Sequence, residues 1–174
     1  MEFTFDTVYD RKAMTAMARA LRKTIRAKHS RRSHLFGWAV ILLGLWLSWP
    51  FGEGGAAISG RTVFTWAVLL LLLAALLWED RLNGSLALKR ALPGLTRAHT
   101  VFTPEDYRSA TDVGSSEFPY SNILMMAETK DYFVLIFGKN HAQIYDKSSL
   151  SGGTAEEFRR FMEEKTGKVM QSLK

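Results

Sequence analysis

The chain contains no cysteine, which excludes disulfides, thiolate metal sites and cysteine nucleophiles. It has four histidines, His29, His34, His99 and His141, and no two of them stand at ligand spacing on a shared element. There is no G-x-G-x-x-G and no P-loop; the glycines between residues 52 and 60 belong to a connector between two apolar runs. Glu156-Glu157 and Glu163-Glu164 read as the exposed faces of a terminal helix and not as a carboxylate pair for acid–base work. These absences point away from an enzyme. No catalytic residue, metal ligand or cofactor site is expected.

Two long stretches also lack charge. Leu35 to Phe51 (LFGWAVILLGLWLSWPF) and Thr62 to Trp78 (TVFTWAVLLLLLAALLW) contain no Asp, Glu, Lys or Arg. Seventeen helical residues reach roughly 26 Å, enough to cross a bilayer core of about 30 Å when flanking side chains snorkel. A chain of 174 residues has too little protein to bury two helices that are apolar all round, so a transmembrane reading is preferred to a soluble core. The first run lies behind a long structured arm with no A-x-A-like site after it, which argues against a cleaved signal. All five tryptophans fall within or at the ends of these runs, with Trp49 and Trp78 where interfacial anchors belong.

Charge sets the orientation. Residues 1–33 hold nine Lys/Arg and three Asp/Glu, residues 79–174 hold thirteen of each, and Glu53 and Arg61 cancel in the connector. The whole net charge of +6 therefore sits in the N-terminal arm. Because no nucleic-acid-binding motif accompanies it, that arm is read as orienting the chain and attracting anionic lipid. The positive-inside rule then places both termini in the cytoplasm and the short connector outside. The expected location is a bacterial cytoplasmic membrane, crossed twice.

Outside the spans the periodicities are shorter. Phe3, Phe5 and Val8 suggest a strand that must pair with something distant, most simply the C-terminal domain. Asp10 is a candidate N-cap for a helix whose apolar stripe is Met14, Met17, Ala18, Leu21 and Ile25, with Lys12, Arg19, Lys23 and Arg26 opposite. Such a helix suits the inner membrane surface, where Arg19, Arg22, Lys23, Arg26, Arg31 and Arg32 would meet anionic headgroups. It suits equally a packing face on the C-terminal domain. Glu79 to Leu92 can continue as helix until Pro93-Gly94. Strands are expected at 99–103, 106–112, 123–128, 131–137 and 141–145, with Gly114-Ser115-Ser116 closing the second, and 103–106 could also start a helix. Short turns between them imply an antiparallel meander. Thr154 and Glu157 form a capping-box pattern opening a last helix, with Phe158, Phe161, Met162 and Val169 on its apolar side.

The run Phe118-Pro119-Tyr120-Ser121-Asn122-Ile123, then Glu128 to Ile136, then Ile144-Tyr145-Asp146-Lys147 and Glu156-Glu157-Phe158, resembles the YcxB-like proteins of bacteria. Nearly the whole chain follows that plan; Tyr145-Asp146 before Lys147 departs from it where a proline is expected. The resemblance implies a C-terminal domain similar to pleckstrin-homology (PH) folds, with no enzyme activity. In it Tyr120 and Ile123 anchor the sheet and Phe158 plugs its open end, as core and not as site. The expected protein is thus an α+β membrane protein. Residues 1–33 form a strand and basic helix, 34–78 a transmembrane hairpin (spans about 35–51 and 62–78), 79–97 a linker helix, and 98–174 a helix-capped cytoplasmic β domain. Residues 98–174 are expected to bind or regulate a protein partner; an anionic-lipid sensor and a membrane immunity or stress protein are the alternatives. A homo-oligomer is compatible with this plan, and nucleic acid is not an expected partner.

Overall fold

A computed structural model of the chain describes residues 2–48, 60–90 and 96–173. These form five α-helices and eight strands in two four-stranded sheets, an α+β architecture. The chain divides into two compact units, residues 28–79 and residues 1–27 with 80–174.

The second of these units is the β domain. Strand β1 (Phe3–Val8) pairs antiparallel with β2 (Arg97–Phe102), β2 with β3 (Tyr107–Thr111), and β3 with β4 (Gly114–Phe118). The distant partner expected for the N-terminal strand is therefore β2. Its inward positions are Phe3, Phe5 and Thr7, while Val8 is 49% exposed. Alternation along the pleat decides this, since Val8 is an odd step away from both phenylalanines. Gly114-Ser115-Ser116, expected as a closing turn, begins a strand. These residues are exposed and carry no apolar alternation, and the β3 ladder alone holds them in place. The stretch 103–106 is a turn, with the Thr103 amide donating to the Asp106 carbonyl at 2.9 Å.

The other sheet has the order β7-β6-β5-β8. Strands β5 (Met125–Glu128), β6 (Tyr132–Gly138) and β7 (His141–Asp146) form the expected antiparallel meander. Helix α5 (Ala155–Thr166) starts at a complete capping box, in which Thr154 and Glu157 each accept from the other's backbone. Glu157 is thus a cap and not merely an exposed face, and its carboxyl is held below its usual range by the Thr154 amide and hydroxyl. The helix ends at left-handed Gly167. Strand β8 (Met170–Ser172) then pairs parallel with β5. Of the expected stripe, Phe158, Phe161 and Met162 do face the core, but its last member does not: Val169 is 80% exposed, and the buried neighbour is Met170. A new strand begins after the glycine cap, so the helical period no longer applies.

Phe158 sits at the centre of the domain, its ring within 4.8–5.4 Å of Phe3, Phe5, Phe102 and Phe133, rings drawn from both sheets. Strand β6 is buried on both faces. Phe133 and Leu135 face this aromatic core, whereas Tyr132, Val134 and Ile136 face a second cluster with Ala13, Ala20 and Leu21 of helix α1 (Arg11–Lys23). That explains why its sequence reads as an unbroken apolar run. Asp10 caps α1 as expected, accepting from Ala13 N–H at 2.7 Å. Glycine is required at Gly152, which has φ +92° and where a Cβ would stand 2.1 Å from the Glu2 carbonyl oxygen. This close approach lets Ser151 exchange two 3.0 Å backbone hydrogen bonds with Thr4, closing the free edge of β1.

In the unit 28–79, helix α2 (Ala27–Ser48) and helix α3 (Gly60–Leu77) pack antiparallel, Gly37 against Leu76 and Gly44 against Leu69. A Cβ at Gly37 or Gly44 would lie 2.9 or 2.7 Å from a leucine methyl, so the glycines are the sockets for these side chains. Helix α4 (Glu79–Arg90) follows α3. It lies within the expected 79–92 helix, and Pro93 and Gly94 fall outside the described residues.

Candidate functional site

The hairpin turns its large apolar side chains outward. Only Leu69 of α3 is buried, and of α2 only Ser30, Gly37 and Ile41. Leu35, Phe36, Trp46, Leu47, Phe64, Leu70 and Leu71 are each more than 60% exposed. Among the described residues, Gly60–Leu77 is the one helix long and apolar enough to cross a membrane, with 6% of its span buried. The first expected span, 35–51, is described only to Ser48. Trp78 stands at the end of α3 with 53% of its surface exposed, while Trp49 lies outside the described residues. His34 Nε2 and Glu79 Oε2 pair at 2.5 Å at one end of the hairpin.

The basic arm is divided between uses. Arg22 makes a two-pronged contact with Asp80, Nε–Oδ1 at 2.6 Å and Nη2–Oδ2 at 2.7 Å, and Arg19 approaches the same carboxylate at 3.9 Å. Arg26 donates to the Lys139 carbonyl at 2.6 Å and to Asn140 Oδ1. On the opposite face Ala13, Ala20 and Leu21 are buried against sheet residues. Of the two placements open to this helix, α1 therefore takes the one on the β domain. Lys23, Arg31 and Arg32 have exposed side chains, the last two on α2.

Tyr120, Ile123 and Phe158 are all buried in the aromatic core. The Tyr120 hydroxyl donates to the carbonyls of Thr103 (2.6 Å) and Asp106 (3.0 Å), tying the turn before β3 to the core. Burial, with the charges of Asp106 and Glu105 nearby, pushes its phenol well above the usual range.

A charge cluster lies at the end of β5. Glu128, 8% exposed, accepts from Lys147 Nζ at 2.5 Å and from Arg159, and Lys147 also donates to the Thr129 carbonyl at 2.7 Å. The Lys147 ammonium stands 4.7 Å from the Phe133 ring centroid. Glu128 and Lys147 both belong to the motif run quoted above, but nothing in their spacing shows that they meet. On the outer face of the other sheet, Asp6, His99, Arg97 and Asp112 surround a shallow groove of about 380 Å³. His99 Nδ1 is 2.7 Å from Asp6 Oδ1, and both side chains are solvated. No group of three or more metal-ligating side chains occurs among the described residues.

The geometry thus defines an apolar helical hairpin and a β domain with Tyr120, Ile123 and Phe158 in its buried core. Residues 102–162 match the family model described as YcxB-like protein, so the resemblance read from the residues holds over this segment. The match runs from the last residue of β2 into α5 and leaves out β1, the hairpin and β8. No curated protein and no solved structure gave a match.

Proposed function

We propose that this is a non-enzymatic membrane protein of the bacterial cytoplasmic membrane. In this reading α2 and α3 cross the bilayer as a two-span hairpin, and a PH-like domain on the cytoplasmic side binds or regulates a protein partner. The observation that carries it is the outward face of the hairpin. In water each large side chain left exposed forgoes about 1.5–3 kcal/mol of burial, and lipid removes that loss. Two four-stranded sheets closed by one helix that inserts Phe158 support the PH-like reading. The excess of cations in residues 1–33 supports cytoplasmic termini.

Reporter fusions test the topology. A reporter after Arg61 should behave as external and one after Lys174 as cytoplasmic; an external C-terminus would reject the reading. Lipid sensing is the second reading, favoured by the exposed Lys23, Arg31 and Arg32. The contacts of Arg22 and Arg26 with the β domain weaken it. An immunity or stress role has no residue of its own to support it.

A further inference from the structure

We propose that the edge of β5 is a docking site for an extended peptide, and that β8 is this chain's own occupant of that site. The inference rests on reading the β domain as a protein-binding module and names the kind of partner it takes.

The two sheets have four outer strands: β1, β4, β7 and β8. The edge of β1 is closed by the Thr4–Ser151 exchange, and β7 is tied to β1 where Asp146 N–H donates to Thr7 Oγ1. Strand β4 is exposed along nearly its whole length. The β5 edge is different, because it combines a backbone ladder, taken up by β8, with a socket for a side chain. Met126 pairs with Met170, Ala127 with Gln171 and Glu128 with Ser172, and Met170 enters the apolar cluster that also holds Met126 and Met162.

What fills this edge is short, although Met170 N–H also donates to Glu163 Oε1 at 2.8 Å and Leu173 packs on the second apolar cluster. Strand β8 has three residues and is parallel, where every other paired strand is antiparallel, and parallel pairing is the weaker of the two. Only Met170 of its three side chains is buried, with Gln171, Ser172 and the preceding Val169 exposed. It leaves α5 through left-handed Gly167, where a backbone swing meets least steric resistance. The YcxB-like match ends at residue 162, so the matched pattern does not include this strand. Without it the amides and carbonyls of β5 would face outward, ready to pair with another chain. The contacts of β8 also describe the ligand. It is an extended segment with an unbranched apolar residue at the Met170 position and a following amide for the Glu128 carbonyl, which now accepts from Leu173 N–H at 2.7 Å.

The test uses the full chain in lipid nanodiscs and a labelled peptide, Lys-Val-Met-Gln-Ser-Leu, copying residues 168–173. Met170→Asp should release β8 and let the peptide bind at least about tenfold more tightly than to the unsubstituted chain, because the tethered copy no longer competes. A control peptide with Asp in place of Met should not bind. Hydrogen exchange on the unsubstituted chain is the second measurement, needed if Met170→Asp fails to fold. The Leu173 amide should exchange at least about a hundredfold faster than those of β6, reporting local opening of β8. A folded Met170→Asp chain that ignores the peptide overturns the proposal, as does a Leu173 amide protected as well as β6. Neither result bears on the membrane hairpin, which the reporter fusions test separately.

Discussion

In the hairpin, Phe64, Leu70 and Leu71 stand 65–72% exposed, whereas in the β domain Phe3, Phe5, Phe102, Phe133 and Phe158 have no accessible surface. The two regions handle the same class of side chain in opposite ways. In the domain, large apolar groups converge on one another, and small or polar residues such as Thr100 and Ser109 complete the inward rows. In the hairpin, glycines sit at the helix–helix seam and receive Leu69 and Leu76, while most other large side chains point away from it. Water drives the first arrangement. The second suits a solvent as apolar as leucine itself, in which close packing at small residues holds helices together.

The strongest way to break this comparison is to truncate one large apolar residue in each region. Phe158→Ala should cost about 3–5 kcal/mol, since it empties the centre of a ring cluster drawn from both sheets. Leu71→Ala, on the outward face of α3, should cost less than about 0.5 kcal/mol in bilayer or detergent. Urea unfolding of residues 1–27 joined to 80–174 measures the first, and thermal aggregation of the full chain in nanodiscs the second. Should Leu71→Ala prove as damaging as Phe158→Ala, the outward face is a protein-packing surface. Should Phe158→Ala leave stability intact while abolishing a cellular activity, Phe158 is a binding residue.

The converse substitution addresses the seam. Gly44→Leu places a branched side chain where even a Cβ would be 2.7 Å from Leu69 Cδ2. Overpacking of this kind costs about 1–3 kcal/mol, read as loss of an engineered α2–α3 cysteine crosslink in membranes. An exposed leucine changed to isoleucine should leave that crosslink intact.

Much of this division is legible in the residues. Phe3 and Phe5 announce an inward strand face, Thr154 and Glu157 announce the α5 cap, and the uncharged runs announce the hairpin helices. Three features are not legible, each for a physical reason. Strand β4 is written Gly-Ser-Ser-Glu-Phe and has no apolar alternation, because neither of its faces packs on the core for most of its length. Strand β8 is too short to display a period, and Val169 before it falls at the helical spacing of the α5 stripe. The partner of α1 is hidden because a basic amphipathic helix looks the same whether its stripe meets lipid or a sheet. Asp80, Asp131 and the 139–140 turn, all distant in sequence and brought together by folding, reveal the partners of Arg22, Lys12 and Arg26.

That ambiguity gives a smaller effect to measure. In a double-mutant cycle, Arg22→Ala and Asp80→Ala should show a coupling of about 1 kcal/mol in domain unfolding. Arg31→Ala with Arg32→Ala should leave domain stability unchanged. If the anionic-lipid reading is right, that pair should instead weaken salt-sensitive binding of a peptide of residues 10–34 to anionic vesicles, by about 1 kcal/mol per cation at low salt. Loss of domain stability from the Arg31/Arg32 pair would mean that these side chains also serve the fold.

The smallest effect should come from the histidines. His141 opens β7 with an exposed side chain whose ring lies 5.4 Å from that of Phe137, and His99 faces outward beside an equally solvated Asp6. A solvated pair of this kind contributes about 0–1 kcal/mol, and a lone surface ring less. His141→Ala should therefore shift unfolding by under about 0.5 kcal/mol, and His99→Ala by little more. Neither ring belongs to the aromatic core, to the Glu128 cluster or to the β5 edge. The two substitutions thus test the division of the domain into a buried structural interior and a replaceable surface. A large loss of stability from His99→Ala would place the outer face of the first sheet among the structural elements. A loss of cellular activity with stability unchanged would instead make the groove bounded by Asp6, Arg97, His99 and Asp112 a binding surface in its own right.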